Sequence, residues 1–474
     1  MDAILKINND YSYVVTTDQN VRHLLWNKLR FRKEGYFHTR AYKQGIWDGF
    51  IDFFNKKTGR FLTGLLPEVR LILNRFGVPF TTEDSREIVP FLYDSIDDQF
   101  LNTSENPITL YDYQVELTNL AIKHKRGIIQ APTSAGKTEI MIAIMKALPP
   151  KTPILFLANR KSLIAQNYKR MKQWGLEHVG RFYGEYHEPN IITCSTVQSA
   201  HHLDKLLPKF KVVIADEIHM LSNDTGIATF KKCKGASARF AVSATPFKHG
   251  GKDDVQKYTI KGYFGPVLKL KKEIIESGVL TTSFLQDRGT VSDSICTFFK
   301  VTEPKIPYDI FIDAVTNGIA NNWTFHHMVE RLAKKLKGRT LILVDRVIHG
   351  DILHRLIPNS LWVYGKDDTE TREYVIEQMQ KATIDTVAIA TQQIFSVGIN
   401  FFVHNMINAA GGKAEHEIIQ RMGRGLRTAD DKEILNYYDF IFEINPYLDD
   451  HSHQRVKVLR KEKHEVIIKD EIDF

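Results

Sequence analysis

From residue 108 onward the chain alternates between two hydrophobic periods. Short runs that are largely apolar, and rich in β-branched residues, occur as GIIQA (127–131), PILFLA (153–158), NIITCS (190–195) and VVIADE (212–217). A strand covered on both faces reads this way, because neither side of its pleat meets water. Between the runs lie segments with helical spacing, KTEIMIAIMKAL and KSLIAQNYKRMKQW. A second series begins near residue 338 with RTLILVD, SLWVYG, DTVAIAT and MINAA. Strand–helix alternation repeated twice predicts an α/β architecture of two tandem parallel-sheet domains, placed at 107–285 and 286–450 and joined through residues 247–320.

Upstream the pattern is shorter and more aromatic. FIDFF (50–54) and GRFLTG (59–64) read as hairpin strands beside the turn signal WDG, and LPEVRLILNRFGVPF reads as a helix. Charge separates this region from the rest. Residues 1–80 hold 13 Lys+Arg against 7 Asp+Glu, whereas residues 81–106 hold 1 Arg against 7 acids. The switch marks a small basic α+β domain (1–80) closed by an acidic, turn-rich linker (81–106). The last segment, 451–474, is charged and reads as a solvated strand or helix face.

Length and composition change little in this picture. A chain of 474 residues, 43% apolar and 25% charged, has room for roughly three domains with cores of their own. The net charge of +8 leans toward a polyanionic partner. Cys194, Cys233 and Cys296 are far apart and show no metal-ligand spacing, so they read as buried thiols. The N-terminus lacks the features of a signal peptide, and no apolar run approaches the ~18 residues of a spanning helix. A soluble, cytoplasmic protein with no membrane partner is expected.

Two motifs carry chemistry. APTSAGKT (131–138) follows the strand GIIQ and opens a helix. Backbone N–H groups of Thr133, Ser134, Ala135 and Gly136 would converge on phosphate oxygens at the helix N-terminus, where the dipole favours negative charge. Lys137 would reach the outer phosphates of ATP and the Thr138 hydroxyl would ligate Mg²⁺. VVIADEIH (212–219) ends a strand in two carboxylates at the sheet edge where parallel α/β sheets bind ligands. Asp216 would hold the Mg²⁺, with Glu217 beside it polarising the attacking water. In QRMGRGLR (420–427), Arg424 and Arg427 are three residues apart and share a helix face. Both could point at the same phosphates, a contribution worth about 10³–10⁵ in rate where it is known. Gly423 and Gly425 suggest a close backbone approach.

Together these motifs resemble the superfamily 2 helicases and translocases, in their DExH branch, over most of residues 108–445. The resemblance implies two RecA-like domains and a nucleic-acid-stimulated ATP hydrolase. It implies that LYDYQ (110–114) reads adenine, with Gln114 at the base edge and Tyr111 nearby. LANRKSLIAQ (157–166), STVQS (195–199), LILVDR (341–346) and ATQQIFSVGIN (390–400) look like strand-contacting or nucleotide-side motifs. That assigns Asn159, Arg160, Thr196, Gln198, Arg346 and Thr391 to nucleic acid and Gly398 to the nucleotide. SATPF (243–247) is similar to the segment that couples the two sites, through Ser243, Ala244 and Thr245. Gln420 joins the arginines in the last motif. Asn400 stands where many relatives have Asp, and Ile218 makes the DExH tetrad DEIH.

The N-terminal region narrows the choice of track. Residues 26–61 hold nine Lys+Arg and three acids interleaved with aromatics. Cations bind phosphates and aromatics stack on bases or wedge between pairs, although the same aromatics would also make a hairpin core. EGYFHTRAYKQGIWDGFIDFFN followed by a helicase core resembles the phage recombination helicases, with YFGPVLKLKKEIIESGVLT (263–281) fitting as connector. Arg40, Lys43 and Trp47 are the expected DNA-contacting residues. That family implies ATP-driven remodelling of branched DNA (fork, four-way junction, R-loop) by a monomer working with recombination, repair or replication proteins in a host-cell cytoplasm. An RNA helicase of the same superfamily and a binding scaffold with an inactive motor are the competing readings. The motor of a restriction enzyme is a further one, for which no nuclease cluster is recognisable.

Overall fold

The computed structural model describes residues 3–247, 254–307, 310–382, 385–392, 402–426, 432 and 434–472. The chain forms two compact units, residues 1–131 with 136–279, and residues 280–474 with 132–135.

The first unit contains two sheets of different character. Near the N-terminus, four strands lie in the order Arg60–Leu62, Tyr11–Val15, Ala3–Ile7, Phe80–Asp84. Phe80–Asp84 runs parallel to Ala3–Ile7, so the sheet continues into the stretch that composition marks as a linker. Leu5, Val14, Leu25, Phe54, Phe61, Val69 and Leu73 form its core. The helix Leu66–Arg75 has Pro at its start, where a missing N–H is harmless, and buries Leu66, Val69 and Leu73 at helical spacing. FIDFF and GRFLTG meet as a hairpin only at the turn, where Asn55 N donates to the Arg60 carbonyl at 2.9 Å, and their longer pairings lie elsewhere. Phe50–Asp52 pairs with Arg30–Arg32, and Arg60–Leu62 pairs with Tyr11–Val15. An isolated bridge, Phe54 to Phe61, joins the two segments where both rings enter the core.

The rest of this unit is built on a seven-stranded sheet in the order Tyr186–Glu188, Val179–Tyr183, Ile192–Thr196, Ile154–Ala158, Val212–Asp216, Ala238–Ser243, Arg126–Gln130. Every pairing is parallel except that of Tyr186–Glu188. The strand Val212–Asp216 is buried at every position, as a strand covered on both faces must be.

The basic module is fastened to this sheet by polar groups as well as apolar ones. Arg126, at the start of the edge strand Arg126–Gln130, donates to the backbone carbonyls of Asn9 at 2.6 Å and Tyr263 at 3.0 Å. Arg239, fully buried at the start of the next, donates to three carbonyls and faces Asp10 at 3.5 Å. Burial raises the Asp10 pKa, opposed chiefly by Arg239. On the helix Asp254–Phe264, Tyr258 stacks on Phe31 with centroids 4.2 Å apart and Lys261 pairs with Glu68 at 2.7 Å.

In the second unit seven parallel strands lie in the order Leu361–Val363, Thr386–Thr391, Arg339–Val344, Asn405–Asn408, Ile434–Phe442, Asp293–Val301, Glu465–Lys469. Glu465–Lys469 and the helix Pro446–Lys461 come from the charged C-terminal stretch. That stretch is a structural part of the unit: Arg455 is buried and chelates the buried Asp439 carboxylate through Nε and Nη2, at 2.9–3.2 Å. Charge composition missed this because both halves of the ion pair are inside. Among the described residues no helix is long and apolar enough to cross a membrane.

Candidate functional site

The phosphate-loop motif connects the strand Arg126–Gln130 to the helix Lys137–Lys146. Gly136 caps that helix at φ +74°, and a Cβ there would fall 1.9 Å from Gln114 Nε2, so only glycine fits. Ser134 is also left-handed, at φ +69°. Thr133 and Ala135 lie in the same loop, with Ala135 N donating to the Pro132 carbonyl. Thr138 occupies the first turn of the helix. Gln114 is buried against the loop and accepts from Tyr111 N at 2.9 Å, while the Tyr111 ring is exposed and stacked on Tyr113 at 5.4 Å. Gln114 is therefore adjacent to Gly136, while the Tyr111 ring is open to solvent.

Asp216 and Glu217 end their strand as the sequence predicts. Glu217 adopts φ +50°, a conformation a non-glycine residue takes only when its surroundings impose it. Its carboxylate faces Lys137 Nζ at 3.5 Å through one oxygen and accepts from Ser243 Oγ at 3.0 Å through the other. Burial pushes the Asp216 carboxyl up, the adjacent Glu217 charge adds to this, and Lys137 opposes it. Asn167, from the helix Lys161–Gln173, also hydrogen-bonds Asp216 and favours its charged form. Two carboxylates and one ammonium in a buried corner leave an unbalanced negative charge that a divalent cation would complete.

Ser243 is the joint of the site. Its hydroxyl lies 3.0 Å from Glu217, 2.9 Å from His219 Nδ1 and 3.2 Å from Thr245 N. Ser243 is fully buried and Ala244 nearly so. One hydroxyl thereby bridges the Glu217 carboxylate, His219 and the backbone of Thr245.

The other residues assigned to nucleic acid sit at carboxyl ends of parallel strands. Asn159 and Arg160 follow Ile154–Ala158, and Thr196 ends the neighbouring strand, paired there with Ala158. Gln198 is exposed and approaches Asn159 Oδ1 at 3.5 Å. Thr196 is buried, and its hydroxyl caps the next helix by accepting from Ser199 N at 3.3 Å. In the second unit Arg346 is exposed beside Asp345. Thr391 ends the adjoining strand, paired with Val344, and is buried. Gln420 and Arg424 are both half-buried and four residues apart on the helix Glu415–Gly425, which puts them on one face. Arg427, Gly398 and Asn400 lie outside the described residues.

Arg421 is a residue that motif reading missed. It is buried and donates to Asn408 Oδ1 at 3.0 Å, to the Gly411 carbonyl at 3.1 Å and to Gln392. Asn408 in turn donates to Asp439 at 2.8 Å, so a polar chain runs from Gln392 through Arg421, Asn408 and Asp439 to Arg455. It fixes the helix that carries Gln420 and Arg424.

In the basic module Arg40 and Lys43 are exposed, with no ion pair among the described residues. Trp47 is half-buried and its indole N–H donates to the Phe50 carbonyl at 2.7 Å. A cleft of about 470 Å³ that the sequence did not single out is lined by Gln19, Arg22, His23, Lys56 and Lys57. Arg22 is pinned there by the carbonyls of Thr16 and Lys57, and Lys56 lies 4.2 Å over the Trp26 ring.

Comparison with known proteins agrees with this arrangement. Residues 107–248 match the family "Type III restriction enzyme, res subunit". The chain is 22% identical over 465 residues to the ATP-dependent DNA helicase uvsW of Enterobacteria phage T4, covering 91% of this chain and 89% of that one. The likeness is to superfamily 2 DExH helicases. The DNA 3'-5' translocase XPB2 of Sulfurisphaera tokodaii is 23% identical over 373 residues, 70% of this chain and 81% of that one. Among solved structures, Dbp5 of S. cerevisiae bound to RNA and ADP BeF3 superposes with a TM-score of 0.54 at 16% identity, over 79% and 95% of the two chains. That likeness establishes the tandem RecA-like fold. The chain is an ATP hydrolase of the helicase type.

Proposed function

We propose that this helicase-type ATPase is a DNA translocase that remodels branched substrates: forks, four-way junctions and R-loops. The observation that carries the choice of a DNA track is the likeness to uvsW over 91% of the chain. The cationic cleft of that module supports it, since Arg22, Lys56 and Lys57 around one concavity suit backbone phosphates.

The residues suit Mg²⁺·ATP. Mg²⁺ prefers oxygen donors and keeps several water or phosphate ligands, so the Asp216 carboxylate and the Thr138 hydroxyl are a sufficient protein contribution. When bound, Mg²⁺ would neutralise charge on the β- and γ-phosphates. Lys137 and the loop N–H groups hold the phosphates, and Tyr111 and Gln114 hold the base. Glu217, oriented by Ser243 and Lys137, positions the attacking water and takes its proton. Loss of the γ-phosphate changes what Glu217 and Ser243 bond to, and Thr245 relays that change toward the strand-contacting motifs. A monomer in a host-cell cytoplasm is the setting this reading implies.

The test is DNA-stimulated ATP hydrolysis on fork, four-way junction, R-loop and RNA duplex. Stimulation and unwinding on branched DNA support the reading, and unwinding confined to RNA duplex contradicts it.

A further inference from the structure

The segment between Tyr36 and Trp47 is folded tightly yet turns its apolar side chains outward. Thr39 caps the short helix Arg40–Lys43. The backbone N–H groups of Ile46 and Trp47 both donate to the Ala41 carbonyl, at 2.9 and 3.2 Å. Tyr36 meets Tyr42 edge-on at 4.7 Å. Gly49, at φ +85°, lets the chain pass so close to Tyr36 that a Cβ would come within 2.6 Å of the ring. The Trp47 N–H is committed to Phe50. Such a loop has a fixed shape, and its exposed surface is a consequence of that shape.

What it exposes is unusual for a water-facing loop. Ile46 at the turn is 76% exposed, Phe37 52% and Tyr42 36%. Gly45 leaves open space beside the turn, with nothing within 4 Å of where its Cβ would lie. Around these apolar groups stand the exposed cations Lys33, Arg40 and Lys43. Of the nearby carboxylates, Asp48 is taken by Arg30 at 2.5 Å and by Phe50 N at 3.0 Å. An apolar tip ringed by cations matches the chemistry of a nucleic-acid branch point, where stacked bases end and two phosphate backbones diverge. Proteins that part or kink base steps use Ile, Phe and similar side chains as wedges in this way, with Lys and Arg on the flanking phosphates.

We propose that the loop Tyr36–Trp47 is the strand-parting wedge of this protein, with Ile46 and Phe37 against the terminal base pair of a DNA arm. Arg40 and Lys43 grip the phosphates on either side, and Trp47 holds the loop's shape. The assignment rests on the DNA-remodelling reading above and names the element that parts the strands. Rigidity is what makes the wedge useful, because a yielding loop would fold away when the duplex is driven against it.

The experiment compares wild type, the double variant Phe37→Ser/Ile46→Ser, and the conservative variant Ile46→Leu on a forked duplex with 2-aminopurine at the branch. The readouts are base pairs unwound per ATP hydrolysed and 2-aminopurine fluorescence on binding without ATP. The double variant is expected to lower the unwinding-to-ATPase ratio about tenfold and to abolish the fluorescence rise, consistent with loss of an unstacking contact. Ile46→Leu is expected to behave as wild type. An unchanged ratio in the double variant overturns the proposal, as does unwinding and ATP hydrolysis falling in step. So does a ratio unchanged while sedimentation shows a self-associated wild type dispersed by the variant, which would make the tip a contact with a second copy. Failure of DNA to stimulate or bind wild type would instead defeat the DNA reading itself.

Discussion

Glu217 holds three roles on one side chain: a left-handed backbone, an ion pair with Lys137 and an acceptor for Ser243. A non-glycine residue in that backbone region costs about 1–3 kcal/mol, a strain retained where geometry matters. Lys137→Ala is expected to lower ATP turnover by about 10²–10³, the usual effect of deleting one charge-stabilising group. Steady-state phosphate release measures this, and turnover at the wild-type level would contradict the site. Ser243→Ala separates hydrolysis from coupling. Basal hydrolysis should survive in large part while stimulation by DNA falls about tenfold, since Thr245 loses its link to Glu217; a parallel fall in both would contradict the relay. The residues that carry this chemistry were legible because each lies in a short contiguous motif with its own strand and helix. Asn167 and Arg421 were not legible, because their partners are remote in sequence and neither sits at a diagnostic spacing.

At the scale of elements, four strands of each seven-stranded sheet were readable from largely apolar runs, whereas Val179–Tyr183, Tyr186–Glu188 and Ala238–Ser243 in the first and Asp293–Val301, Ile434–Phe442 and Glu465–Lys469 in the second were not. The hairpin of the basic module was readable only at its turn, since Phe50–Asp52 and Arg60–Leu62 choose partners from earlier in the chain and local pattern carries no register. The C-terminal helix shows the same limit, with its buried Arg455 ion-paired to Asp439. Asp439→Asn leaves a buried guanidinium uncompensated and should destabilise the second unit by about 3–5 kcal/mol, read by urea unfolding. A change within experimental error would show that the pair is dispensable. Buried histidines make the same unit acid-sensitive. Burial lowers the His349 pKa to about 3 and that of His464 to about 4. Unfolded histidine takes a proton near 6.5, so between that value and the folded values the unfolded state binds more protons. Stability should therefore fall as pH drops from about 6.5 toward 4, and a flat pH profile across that window would contradict the burial of these rings.

For the whole molecule, the basic module and the first motor sheet form one unit, fastened through Arg126, Arg239, Tyr258 and Lys261. A module fixed in this way shares every displacement of that sheet. Lys56→Ala/Lys57→Ala should reduce the slope of log affinity against log salt by about 1.8, two phosphate contacts at ~0.9 each. An unchanged slope would remove the cleft from the DNA path. Charge distribution announced the module, but its attachment rests on carbonyl acceptors and buried arginines that no composition reveals. The account as a whole is tested most directly by strand separation on a forked DNA, with ATP and with the Lys137→Ala variant as control. The predicted result is ATP-dependent unwinding of the fork by wild type and none by the variant. Unwinding confined to an RNA duplex, or fork unwinding that persists in Lys137→Ala, would contradict it.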